Sequence, residues 1–287
     1  MSRAALTFLC CLLLCPPGAS AGSGPPEELA FIEYLMARGE LSESLFLLER
    51  LPPQPKARED SVSFLKGWVL YLQKELEPSA RHLLAVSSES PLHTRSVFFG
   101  AYNLAHLGRP RQAMAILGSQ PFESGSQPDR LRGFQLAGMA LLDRDFDLFA
   151  RQAQALEGTG HLMQEQALRL KEYHGRLLSE RGRSPLLAGL LSAAVPGLGK
   201  VYAGKPAEGV AGFLYLAVMG ATTWDFYRGA GPRSALFILS ASVTGIFYLG
   251  NIAGSATAVR RQNKEFNHEM DQRILFDLHI PLRNAFN

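Results

Sequence analysis

Leu107-Gly108-Arg109-Pro110-Arg111-Gln112-Ala113-Met114-Ala115-Ile116-Leu117 is the stretch whose reading decides the fold. An apolar, helix-like run over residues 97–107 leads into it. Gly108 then supplies the positive φ that a tight turn needs. A second helix follows, with a small residue, Ala113, five positions after the glycine and Leu117 four positions further on. The small residue lets two helices cross closely, and the leucine fills the next gap. The same order recurs over residues 38–48 (Gly39, Ser44, Leu48), 74–84 (Glu75, Ala80, Leu84) and, less closely, 143–150, where Arg144 takes the turn and Phe149 replaces the small residue. Taking Gly39, Glu75, Gly108 and Arg144 as equivalent, the steps are 36, 33 and 36 residues.

A helix-turn-helix unit repeating at about 34 residues is the signature of a stacked helical array. These residues resemble the tetratricopeptide family, and the resemblance covers residues 26–180. It implies an all-α solenoid whose concave face binds a protein or peptide partner. Tyr71, Tyr102 and Asn103, on the first helices of their units, are the expected contacts. Residues 161–178 read as a capping helix.

Composition changes sharply after the repeats. Residues 185–259, the bulk of a membrane domain read over 185–262, are nearly free of charge and rich in Gly, Ala, Leu and Val, although the whole chain is only 47% hydrophobic. Residues 234–259 carry no charge, long enough for a spanning helix, which needs about 20 residues. Residues 206–227 form a second candidate, with Glu208 and Asp225 near its ends and Trp224, Phe226 and Tyr227 where aromatic rings favour the lipid–water boundary. A short turn at residues 228–233 makes the pair a transmembrane hairpin. Ala241, Gly245, Gly250, Gly254 and Ala258 give the second span a stripe of small residues. Packing within the hairpin is the expected use of that stripe, ahead of a homo-oligomer.

Pro196, Gly197, Gly199, Tyr202 and Gly204 precede the hairpin. Here the chain resembles the TM-two-type family of small membrane hairpins, which implies a topology more than a biochemistry. Residues 199–205 also fit the first seven positions of a phosphate-binding P-loop, but the eighth is Pro206, which has no hydroxyl for Mg²⁺, and no strand precedes it. A glycine turn before a helix that starts on proline is the better account. Residues 186–195 are apolar as well and are read as an interfacial or re-entrant helix, or as part of a third span.

At the other end, Ser2-Arg3, an apolar run over residues 4–15, Pro16-Pro17-Gly18 and Ala19-Ser20-Ala21 read as a secretion signal over residues 1–21, cleaved after Ala21. All three cysteines, Cys10, Cys11 and Cys15, lie inside it, so the mature chain would have neither disulfides nor thiolate metal sites. A net charge of +3 argues against nucleic acid as a partner. No zinc-ligand spacing and no nucleophile motif appears, so the expectation is a non-enzyme without cofactor or metal. The signal would put the repeats on the exported side of a bacterial inner membrane, facing the lipid bilayer through the hairpin. Lys200, Lys205, Arg260 and Arg261 oppose that orientation, since positive flanks prefer the cytoplasm, and a third span would relieve the conflict. The tail, residues 263–287, extends the last helix and ends in Ile274, Leu275, Phe276, Leu278 and Ile280, a cluster that docks on the repeats or on the membrane surface. The function expected is a membrane-anchored scaffold or adaptor; the alternative is an oligomeric channel or transport subunit with the repeats as assembly platform.

Overall fold

The computed structural model describes residues 26–286 apart from 54, 154, 155, 157–159 and 181. The signal reading and the cysteines lie outside the described residues. Within them the fold is all-helical, with thirteen helices and no strand. The described residues divide into two compact units, one of residues 26–176 with 272–286 and the other of residues 177–271.

The first unit opens with α1 (Pro26–Arg38), α2 (Leu41–Arg50), α3 (Lys56–Leu72), α4 (Leu76–Leu84), α5 (His93–His106), α6 (Pro110–Gly118), α7 (Gln127–Leu142) and α8 (Phe146–Ala153), each packed on the next within its run. The turns between α1 and α2, α3 and α4, α5 and α6, and α7 and α8 share one backbone device. Gly39, Lys74, Gly108 and Arg144 all have positive φ. At Gly108 the backbone N–H bonds Ala105 O and the next N–H, of Arg109, bonds Leu104 O; the other three turns repeat both bonds. This double bond closes a helix and reverses the chain.

The shared cap corrects one register. The second turn centres on Lys74, not Glu75, so the four turns stand 35, 34 and 36 residues apart. Burial follows the corrected frame: Ser44, Ser79 and Ala113 are fully buried five residues after the turn, and Leu48, Leu83 and Leu117 nine residues after it. Ala80 and Leu84 are therefore each one residue out of step. Ser79 uses its small size by donating its hydroxyl to Gly67 O at 2.7 Å on α3. In the fourth unit Phe149 takes the small-residue position and meets the His174 ring, 4.6 Å between centroids, on α9 (Gly160–Ser179).

The second unit contains α10 (Pro185–Ala194), α11 (Leu198–Tyr202), α12 (Pro206–Ala230) and most of α13 (Ala235–Ala285), whose last residues return to the first unit. The Ser184 hydroxyl caps α10 by accepting from Leu187 N. Val195 is extended and Gly197 left-handed, so residues 186–203 form two short helices and not one long span. Of the described helices, only α13 is both long and apolar enough to cross a membrane; α12 has the length but not the apolarity.

Candidate functional site

The first unit carries a groove along α3, α5, α7 and α9, and the chain's own C-terminal segment lies in it. Ile274, Leu278 and Leu282 recur every fourth residue, which places them on one face of α13. All three are fully buried, whereas Phe276 on another face is 61% exposed.

Each groove helix contributes a specific contact. Tyr71 on α3 hydrogen-bonds Nε2 of His279. On α5, Tyr102 donates to Leu275 O at 3.3 Å and stacks on the His279 ring at 5.3 Å. From α7, Gln135 donates its amide to Leu278 O at 2.8 Å. Gly138, one turn further, faces Leu278 so closely that an added Cβ would stand 2.8 Å from its Cγ. On α9, Arg169 and Tyr173 bond the two oxygens of Asp277, at 3.1 and 2.7 Å. Asp277 is 1% exposed, and a carboxylate so buried needs such partners.

Burial governs the protonation states here. Burial pushes the Tyr71 phenol up to about 12 and raises Tyr102 too, so both hydroxyls keep their protons. Burial, then the positive charges of Arg283 and His106, hold His279 below the ordinary histidine value. Neutral His279 can thus accept the Tyr71 proton at Nε2.

Of the residues expected to meet a partner, Tyr71 and Tyr102 hold the C-terminal segment. Asn103 is fully buried and donates to Ser79 Oγ at 2.8 Å, making it a strut between α5 and α4 and not a groove contact. Sequence reasoning missed Gln135, Gly138, Arg169, Tyr173 and Asp277. A glycine in mid-helix, which costs about 1 kcal/mol against alanine, was the one available signal, at Gly138.

Beside the docked segment the groove opens into a cavity of about 700 Å³. Trp68, Tyr71, Phe99 and Tyr102 form its aromatic wall. Trp68 meets Phe99 edge-on at 4.8 Å and stacks on Tyr71 at 5.3 Å. The titratable side chains at the cavity, other than tyrosines, are Lys74, His106, His279 and Arg283, with no acid among them.

In the second unit the glycine element has a steric explanation. An added Cβ at Gly197 would overlap the Gly209 carbonyl oxygen, and one at Gly199 the Ala188 carbonyl oxygen. Gly199 N donates to Ser192 Oγ, which in turn bonds Ser255 Oγ at 2.7 Å on α13. Tyr202 accepts from Ser184 N at 3.1 Å, and Gly204 takes a positive φ beside Arg183. Pro196 sits between extended Val195 and left-handed Gly197. In contrast, a Cβ at Gly245, Gly250 or Gly254 would meet nothing within 4 Å. These three glycines have no close neighbour inside the chain that their small size would admit.

Among the described residues no cluster of three His, Cys, Asp or Glu side chains could hold a metal ion. Comparison with family models, curated proteins and solved structures gives no match.

Proposed function

We propose that this chain is a membrane-anchored adaptor: a tetratricopeptide-like solenoid that holds a protein or peptide partner, tethered by a transmembrane hairpin, on the exported side of a bacterial inner membrane. The observation that carries the reading is the groove itself. It already holds an amphipathic helical segment by side-chain hydrogen bonds to backbone carbonyls, a glycine notch and a buried carboxylate, and it keeps an open aromatic end beside that segment. Helix-in-groove binding works through such periodic anchors. Four identical turns at near-constant spacing support the repeat reading. Support for the membrane comes from Val210, Leu214 and Val218 on α12 and Leu239, Ile246 and Leu249 on α13, all more than half exposed; so much exposed aliphatic surface is unfavourable in water.

The test is photo-crosslinking in intact cells from position 72 at the cavity rim, where Leu72 is 42% exposed. Discrete adducts that weaken when the neighbouring charge is reversed by K74E are expected. Self-adducts alone, or none, would remove the adaptor.

A second reading, an oligomeric membrane domain with the repeats as platform, is favoured by the unused stripe at Gly245, Gly250 and Gly254. The full chain in detergent should then lose its oligomer on G250L/G254L. A monomer before substitution ends that reading.

A further inference from the structure

We propose that the cavity beside the docked C-terminal segment is a binding site for a carboxylate carried on an apolar or aromatic body. Its volume, about 700 Å³, lies within the range of small-ligand pockets, roughly 300–1,000 Å³. The wall is preformed: Trp68, Tyr71 and Phe99 pack on one another at 4.8–5.3 Å, and Arg95 backs the Trp68 ring from 4.4 Å. Rigid rings give contact area at little cost in side-chain entropy.

The charges point to an anion. Several other surface cations of this unit are paired, among them Arg109 with Glu77, Arg111 with Asp143 and Arg169 with Asp277. Lys74, His106 and Arg283 have no ion-pair partner among the described residues. They converge on the cavity from the α3–α4 turn, from the end of α5 and from the end of α13. Part of that field is felt inside, where burial first, and then Arg283 and His106, disfavour a proton on His279. A guanidinium matches a carboxylate through two parallel hydrogen bonds and a lysine adds a point charge, while the aromatic wall takes the apolar body. Two sources share this chemistry: a free aryl or alkyl acid, and the C-terminus of a peptide ending in an apolar residue.

The inference shares the groove with the adaptor reading but needs neither a membrane nor a macromolecular partner. Acid binding without crosslinks from position 72 would sink the adaptor alone, and crosslinks without acid binding would sink this site alone. The experiment uses the full chain carrying W224F, which leaves Trp68 as the one tryptophan of the two in the sequence. Trp68 fluorescence is followed while 4-phenylbutyrate or its neutral amide is added, and then an acetylated peptide ending in Ala-Phe, as the free acid or the C-terminal amide. A saturable change is expected with at least one acid, about tenfold weaker for the matching amide, as for loss of a charge-assisted pair. K74E/R283E should remove the acid's advantage and leave amide binding as it was, which shows the cavity intact. Binding of the peptide acid alone assigns a peptide C-terminus, and binding of phenylbutyrate alone a free acid. No saturable change with either acid, or equal affinity for acid and amide, would overturn the proposal.

Discussion

The same substitution, glycine to alanine in mid-helix, should have opposite signs at two positions of the first unit. Gly175 in α9 faces open space, so G175A should gain the helix-propensity difference, about 0.5–1 kcal/mol. G138A gains as much locally, but its Cβ would stand 2.8 Å from Leu278 Cγ and closer still to a Cδ. Overpacking of this kind costs about 1–3 kcal/mol, so a net loss near 1 kcal/mol is expected. L278A empties a fully buried site and should cost about 2–5 kcal/mol. The informative variant is the double one. With Leu278 truncated, the alanine at 138 enters free space, keeps its helical gain and fills part of the cavity. Adding G138A to L278A should therefore stabilise, with a coupling energy of about 2 kcal/mol, inside the range for residues in contact. Urea unfolding of the full chain in detergent, read by Trp68 in the W224F background, measures all four corners. Equal effects of G138A and G175A, or an additive cycle, would mean that the C-terminal segment does not rest on α7, and the account of the groove would fall.

His279 gives the groove a pH dependence. Its folded pKa lies below the unfolded value of about 6.5, so its contribution is complete above that pH and is lost as pH falls from there through the folded pKa. Tyr71, Tyr102, His106 and Arg283 are the groups that face it. Amide protection factors over residues 274–282, corrected for the intrinsic pH dependence of exchange, should fall between pH 7 and 5, and less so in H279Q, which keeps an acceptor for Tyr71 but cannot titrate. In the second unit G199A should lower the melting temperature sharply, since its Cβ would strike backbone at Ala188, whereas G254A should change it by less than about 1 kcal/mol equivalent. Single cysteines at S126C and N287C, in a chain without native cysteines beyond residue 15, should be labelled together or protected together by an impermeant reagent in intact cells.

The helical character of the chain was readable because each device is local. A turn glycine, a small residue five places on and a leucine four later are set by one helix pair, and Gly39 and Gly108 stand where the spacing put them. The second turn slipped by one because Lys74 adopts the left-handed conformation that glycine usually takes, and no residue type advertised it. The glycine element before α12 was visible as a pattern, but the reason for it was not. Gly197 and Gly209 are needed because two backbones touch there, and such a contact leaves no trace in spacing. The groove was half legible: Tyr71 and Tyr102 were named as contacts for a partner, and the structure sets both against the C-terminal segment, some two hundred residues further along the chain. The cluster Ile274, Leu275, Phe276, Leu278 and Ile280 marked apolar surface to be covered; the fully buried face is Ile274, Leu278 and Leu282, and only the notch at Gly138 and the paired groups Arg169 and Tyr173 say by what.

That long-range closure constrains topology more tightly than hydropathy does. Residues 26–176 and the C-terminal segment belong to one folded unit, joined by contacts such as Asp277 with Tyr173 and Leu278 with Gly138. Both parts must then lie on the same side of any membrane, so if residues 177–271 cross one, as proposed, they cross it an even number of times. The sequence left two spans and three in competition, because three would place Arg260 and Arg261 on the cytoplasmic side. Three is an odd number and would tear the C-terminal segment from its groove. On the proposed two-span reading, the remaining choice is between an exported and a cytoplasmic first unit. The positive flanks favour the second and the signal reading the first. Lys205 and Arg261 pair with Glu208 and Glu265 at 2.8 Å, but neighbouring acids contribute little to the positive-inside tendency, so both still count as basic flanks. Labelling at S126C and N287C tests both levels at once. Joint labelling means an exported unit and joint protection a cytoplasmic one, while a split between them would contradict the closed groove, since no membrane can pass between Leu278 and Gly138.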